Sequence, residues 1–166
     1  MKLNKKEVLL VPTATPNSRT KYALFAVPYK KNYIVLNTSM ANRAIEESLK
    51  SRLFAYLGKR KNVIKEHSVS GYKCDLYIED TDTIIEIKSV ISTADRALFP
   101  TVYSERTIKQ LQRLQEILIA GKKVCLYVVS LHPYLKEVAI DQTQSLLLNC
   151  NVCINLHVVC MHYTVR

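Results

Sequence analysis

Residues 81–91, TDTIIEIKSVI, constrain the fold more than any other stretch of the chain. Five of the eleven are β-branched aliphatics, the composition of a strand buried along most of its length. Glu86 and Lys88 nevertheless stand in its middle, and such side chains are almost never fully buried unless they are paired. An unpartnered buried carboxylate neutralises or destabilises the fold around it. Either this strand keeps one face wet, or its two charges serve a chemical purpose.

The preceding residues decide how the strand pairs. KCDLYIEDTDTIIEIKSV reads as a hairpin. Its turn is either the two residues Asp80-Thr81 or a four-residue loop from Glu79 to Asp82, and both put residues whose numbers add to 161 opposite each other. Asp75 then faces Glu86, and Lys88, two residues further on, shares their face. Leu76, Ile78, Ile85 and Ile87 fall on the other face and are free to enter a core. Two carboxylates about 5 Å apart across a ladder repel each other. A divalent cation removes that repulsion, and Mg²⁺ accepts oxygen ligands at about 2.1 Å. Metal-bound water becomes a nucleophile near neutral pH, and an adjacent Lys88 orients it or stabilises an oxyanion. Asp75, Glu86 and Lys88 thus form a candidate constellation for phosphodiester hydrolysis. The plainer alternative is a solvated hairpin face, on which such residues are ordinary.

Around this hairpin the chain reads as one α/β domain. Residues 1–21, with Pro12, Pro16, Asn17 and Ser18, are expected to be irregular. KYALFAVPY and NYIVLNT read as two strands. A helix capped by Thr38 or Ser39 follows, with Ala41, Ile45, Leu49 and Leu53 at helical spacing and an end near Gly58. NVIKEHSV is expected to be a strand and ADRALFPTVY a loop. A second helix, Ser104 to Ala120, carries Ile108, Leu111, Leu114 or Gln115, and Leu118 on its apolar stripe, and Gly121 stops it. KVCLYVVSL is a continuous apolar run suited to a central strand. DQTQSLLLN reads as a short helix and VCINLHVVCM as a last strand. This order gives a mixed sheet flanked by helices, with the second helix making a parallel right-handed crossover.

Lys and Arg exceed Asp and Glu by ten, a balance that attracts phosphate polyanions. The basic clusters are Lys5-Lys6, Arg19 with Lys21, Lys30-Lys31, Lys59-Arg60-Lys61 and Lys122-Lys123. Most stand at expected element ends, where a solvated charge is ordinary. No apolar run of about 18 residues argues for a membrane span, and the N-terminal apolar run is too short for a signal peptide. A cytoplasmic protein with no membrane partner is expected. Five cysteines, an odd number, argue against a disulfide framework. Cys150, Cys153, His157, Cys160 and His162 have a spacing open to zinc, but alternating aliphatics among them suit a buried strand better.

The motifs also resemble a known family. CDLYIE…IIEIKSV, followed by ALFPTVYSERTIKQLQRL and GKKVCLYVV, is similar to the sugar fermentation stimulation protein A family. VLNTSMANRAIEESL resembles that family's upstream motif, and the likeness runs from about residue 8 onward. The resemblance implies a DNA-binding protein whose main domain, here residues 22–166, has the PD-(D/E)XK restriction-endonuclease-like fold. It implies metal ligation by Asp75 and Glu86 with the Ile87 carbonyl, Mg²⁺ or Mn²⁺ as cofactor, and Lys88 as the catalytic lysine. Glu47 matches a helix-borne Glu that assists. Lys73, Arg106, Lys109 and Gln110 match nucleic-acid contacts, with DNA as partner or alternatively RNA, and a homodimer is compatible. The family's N-terminal OB-like barrel has no counterpart in the roughly twenty residues before this region. Thr101 replaces the family's Asp, Thr107 its Gly, Gln110 its His, and Tyr72-Lys73 its Ser-Arg. A non-catalytic DNA-binding regulator of sugar metabolism genes is the alternative that the resemblance leaves open.

Overall fold

The computed structural model describes residues 7–13, 18–102, 104–140 and 155–160, the last group through its backbone alone. Its elements run β1 (Leu9–Pro12), β2 (Tyr22–Tyr29), β3 (Asn32–Val35), α1 (Ser39–Ser48), β4 (Val63–Lys65), β5 (Ser68–Val69), β6 (Tyr72–Lys73), β7 (Leu76–Ile78), β8 (Thr83–Val90), β9 (Arg96–Phe99), α2 (Glu105–Ile119), β10 (Lys123–Ser130), β11 (Glu137–Ile140) and β12 (Asn155–Cys160).

The main sheet has the order β12-β10-β8-β7-β4. β8, β10 and β12 are parallel, and β7 alone is reversed, pairing antiparallel with β8 on one side and β4 on the other. The central place of β10 follows from its sequence: seven of its eight residues are buried, as a strand covered on both faces requires. α2 connects β8 to β10, as expected of a parallel crossover.

Alternation along β8 divides the core in two. Ile85 and Ile87 join Leu76, Ile78, Cys125, Tyr127 and Val129 against Ala41, Ile45 and Leu49 of the α1 layer. Ile84 and Val90 join Val124, Leu126 and Val128 against Leu111, Leu114 and Ile117 of α2. Ser104 caps α2, its hydroxyl accepting from the Thr107 N–H at 3.3 Å.

The observed pairs Leu76↔Ile85, Tyr77↔Ile84 and Ile78↔Thr83 keep the register expected from sequence. The four-residue form of the loop is the one adopted: a 3-10 turn over Glu79–Thr81, then Asp82 in the left-handed region. β4 and β5 prove to be two halves of the strand expected at NVIKEHSV. Pairs add to 141 on both sides of the interruption, so a single ribbon bends where Glu66 takes φ 49°. Its tip is Ser70-Gly71, with φ 50° and 76°, the signs that a tight two-residue hairpin loop needs.

Other expectations are corrected. Residues 9–12 form a strand, which pairs with β2; with β3 these make a separate three-stranded sheet. α1 stops at Ser48 and a 3-10 segment, Arg52–Leu57, carries the chain to Gly58, so Leu53 leaves the apolar stripe and is exposed. Thr38 stands at the N-cap of α1, but its side chain makes no capping bond. The Asn37 carboxamide makes one instead, accepting from the Ser39 N–H and hydroxyl. The loop expected at ADRALFPTVY contains β9, parallel to β11. The short helix expected at DQTQSLLLN lies outside the described residues.

Candidate functional site

The main-sheet ladder between β7 and β8 ends at Leu76↔Ile85. Beyond that pair the two strands part. The bent hairpin draws the Asp75 backbone away, its carbonyl accepting from the Glu66 N–H at 2.9 Å. The Asp75 side chain fills the fork that is left. One carboxylate oxygen accepts from the Ile87 N–H at 2.7 Å, taking the place of a ladder partner. The other accepts from the Asn42 amide of α1 at 2.9 Å. Each oxygen retains a lone pair. A strand residue's N–H and C=O point to the same side, so the Ile87 carbonyl faces this fork as well.

Glu86 lies beside the fork on the α2 face of β8 and is only 3 % exposed, so the solvated-face alternative does not describe this strand. Lys88 binds the Glu86 carboxylate at 2.6 Å and the Gln110 side-chain oxygen at 2.7 Å, with its own side chain 19 % exposed. Burial pushes the Glu86 carboxyl above the usual carboxylate range. Lys88 opposes that shift and the nearby Asp75 charge adds to it. The hairpin tip carries Tyr72 over the same region. Its hydroxyl is buried without a well-formed hydrogen bond among the described residues, and burial, then the Glu86 charge, holds its pKa far above the ordinary phenol range.

These donors fit a small divalent ion. Mg²⁺ commonly uses one or two carboxylates, keeps several waters, and needs no cage of protein ligands. Asp75 fills the fork with Glu86 beside it, and the buried Tyr72 hydroxyl stands against the Glu86 carboxylate. Among the described residues no group of three or more His, Cys, Asp and Glu is placed for a metal. A site of two carboxylates and a carbonyl differs from the thiolate and imidazole cages that hold structural zinc. Of the zinc candidates in the tail, Cys150, Cys153 and His162 lie outside the described residues, and for His157 and Cys160 only the backbone is described.

Two hollows flank the fork. The α1-side cleft, about 680 Å³, is lined by Asn42, Arg43, Glu46, Glu47, Lys65 and Asp75 among others. Glu47 is on its rim, ion-paired with Arg43 at 2.8 Å. Glu46, four residues beyond Asn42 and so on the same side of the helix, pairs with Lys65 at 2.8 Å. The α2-side hollow, about 430 Å³, is lined by Tyr72, Glu105, Arg106, Lys109, Gln110 and Arg113. Arg113 also ties the hairpin tip to the helix through the Ser70 carbonyl at 2.5 Å. Lys73 stands on the exposed side of the hairpin, paired with Glu66 at 2.6 Å.

Asp75, Glu86, Ile87 and Lys88 therefore converge. Gln110 joins them, Arg106 and Lys109 border the hollow beside them, and Glu47 and Lys73 stand further out. Sequence reasoning missed Asn42 and Tyr72. Asn42 belongs to the upstream ANRAIEE motif, five residues before Glu47, a spacing that could have marked it. Tyr72 is marked only as standing where the family has Ser, and its place over the site arises from the bend at Glu66.

A mixed α/β domain with a buried acid and lysine beside a parted hairpin defines the class of protein. Residues 39–146 match the family described as the sugar fermentation stimulation protein RE domain, and the chain belongs to that family. The sugar fermentation stimulation protein homolog of Clostridium kluyveri is 28 % identical over 110 residues, 63 % of this chain and 47 % of that protein. The homolog of Thioalkalivibrio sulfidiphilus is 30 % identical over 122 residues, 68 % of this chain and 51 % of that protein. The chain thus spans about half the length of the curated relatives it matches. The structure of Pyrococcus furiosus SfsA in complex with Ca²⁺ superposes with a TM-score of 0.74 at 17 % identity, over 91 % of this chain and 68 % of that one. Among the described residues no helix is long and apolar enough to cross a membrane.

Proposed function

We propose that this protein binds nucleic acid, DNA in the first instance, and hydrolyses its phosphodiester bonds with Mg²⁺ or Mn²⁺, using a site of the PD-(D/E)XK type. The observation that carries the reading is Glu86. An ionisable carboxylate at 3 % exposure, raised in pKa and bonded to a lysine, is an expensive arrangement for a strand to retain without chemistry. The Ca²⁺ held by the Pyrococcus furiosus relative supports a hard divalent ion here. The net charge of +10 supports a polyanionic substrate.

In this reading Asp75 and Glu86, with the Ile87 carbonyl, hold the ion. When bound, the ion lowers the pKa of a water and offsets charge on the phosphate. Asn42 and the Ile87 N–H fix the Asp75 carboxylate so that it need not reorganise on binding. Two of the three Lys88 N–H bonds go to Glu86 and Gln110. The third is left to orient the attacking water or to meet a phosphate oxygen. Arg106 and Lys109 contact neighbouring phosphates, and Glu47 assists from the α1 rim.

The test is a cleavage screen over single- and double-stranded DNA and RNA with Mg²⁺ and with Mn²⁺, run beside Asp75→Asn. Metal-dependent cutting that the variant loses supports the hydrolase. If no substrate is cut while DNA binding weakens steeply with salt, the protein is a non-catalytic DNA binder instead.

A further inference from the structure

We infer that Gln110 is a two-sided positioning residue: its oxygen holds the Lys88 ammonium, and its amide N–H₂ faces the α2-side hollow to receive a phosphate oxygen of the substrate. The lysine half stands on geometry alone. The phosphate half rests on the hydrolase reading above.

A lysine ammonium has donors and no acceptor, so the Gln110 atom 2.7 Å from it must be the carbonyl oxygen. The amide nitrogen is then turned away from Lys88. It has no hydrogen-bond partner among the described residues, and Gln110 lines the hollow together with Tyr72, Arg106 and Lys109. Arg106 and Lys109, one turn apart on α2, likewise have no partner among the described residues. Three donor groups thus border one hollow, also lined by Tyr72, with no acceptor for them among the described residues.

The residue type fits both sides. Were Gln110 a carboxylate, it would hold Lys88 equally well but add a third negative charge beside Asp75 and Glu86 and repel a phosphate. An aliphatic residue would leave the ammonium to Glu86 alone, free to swing toward the carboxylate. A neutral amide accepts from the lysine and donates to the substrate, so the position of the phosphate and that of the amine are linked through one rigid plane.

Three forms of the full chain are compared: wild type, Gln110→Ala and Gln110→Glu. The Lys88 ammonium is followed by NMR with ¹⁵N-labelled lysine, assigned through Lys88→Arg. A slowly exchanging Nζ signal is expected in wild type and Gln110→Glu, and its loss in Gln110→Ala. That readout needs no catalysis, so it decides the lysine half even if no substrate is cut. For the phosphate half, the Gln110 side-chain amide signals are followed as a 12-mer DNA is added with Ca²⁺ present, and movement at saturation is expected. On a cleaved substrate, Gln110→Ala should lower kcat by about 10- to 100-fold and displace the pH profile. Gln110→Glu should chiefly raise KM. A Lys88 signal in Gln110→Ala identical to wild type overturns the lysine half. Unmoved Gln110 amide signals at saturating DNA, or a Gln110→Glu variant with wild-type KM, overturn the phosphate half.

Discussion

The two hollows beside Asp75 differ in how their charges are settled. The α1-side cleft has three cations among its lining residues, Arg43, Lys50 and Lys65, against four carboxylates, Glu46, Glu47, Glu66 and Asp75. Its charges largely pair with one another: Arg43 with Glu47, Lys65 with Glu46. The α2-side hollow has three cations, Arg106, Lys109 and Arg113, against Glu105 alone. Among the described residues only Arg113 of these is committed, to Glu116 and to the Ser70 carbonyl. Exposed pairs contribute little to stability, so the difference bears on what each hollow attracts more than on how firmly it is built. A polyanion approaching the fork meets compensated charge on one side and uncompensated cations on the other.

The contrast can be attacked from its centre outward. Lys88→Ala removes the amine next to the fork. Metal-dependent cleavage should fall by about 10³-fold or more while DNA affinity changes little, as measured by single-turnover kinetics beside filter binding. Retained activity would detach the lysine from the chemistry.

The next effect asks whether the two helix layers differ in stability as well as charge. Ile45 and Leu114 occupy matching places, each fully buried. Alanine at either should cost about 2–5 kcal/mol in urea unfolding. A much smaller loss on the α2 side would mean that this layer is loosely packed, and that its free cations reflect disorder more than purpose.

Arg106→Ala with Lys109→Ala tests the charge difference directly. For duplex DNA, the slope of log K against log salt should flatten by about 0.9 for every phosphate that is no longer neutralised. Arg43→Ala with Lys50→Ala on the opposite side should leave that slope unchanged. Equal effects from both pairs would break the contrast between the hollows.

A smaller effect is expected at Asn42, which reaches Asp75 from α1. Asn42→Ala removes one hydrogen bond to a charged group, worth about 1.5–3 kcal/mol when buried and less at this half-buried position. Thermal melts with and without Ca²⁺ would separate loss of stability from loss of ion affinity.

The smallest effect lies away from both hollows. His132 is 1 % exposed, its Nδ1 accepting from the Tyr134 N–H at 3.1 Å. Burial chiefly lowers its pKa and the Lys30 charge adds to this; a backbone hydrogen bond and the Asp95 charge oppose it. The unfolded chain therefore binds the proton more readily than the folded one. Stability should fall as pH drops below about 6.5 and on through the folded value. Urea titrations between pH 7.5 and 5 should show this slope in wild type and a flatter one in His132→Phe. Equal slopes would mean that the imidazole is protonated without penalty.

Much of this was legible in the sequence, for identifiable reasons. The 161 register follows from a short turn and a period of two, both local, so Asp75, Glu86 and Lys88 could be brought together before any fold was known. α2 announces itself through Ser104, Gly121 and the spacing of Leu111 and Leu114. The separation of β1–β3 from the main sheet could not be read, because the continuous apolar run Tyr22–Tyr29 suits a strand of either sheet. Nor could the pairing of β9 with β11, since parallel partners forty residues apart leave no local mark. The early end of α1 turns on the 3-10 segment, and Leu53 has helical spacing yet faces solvent. At the site, the sequence offered Gln110 as a nucleic-acid contact standing where the family has His. Its hold on Lys88 depends on how α2 docks, which no spacing encodes.

The Asp75 carboxylate finishes a seam that the backbone leaves open, and this governs how the site can be switched off cleanly. Asparagine at 75 keeps an oxygen for the Ile87 amide, so it should remove the proposed chemistry and leave the sheet intact. Alanine would leave that amide without its partner where β7 and β8 part. With alanine, a disturbed strand edge would be read as an effect on the proposed reaction.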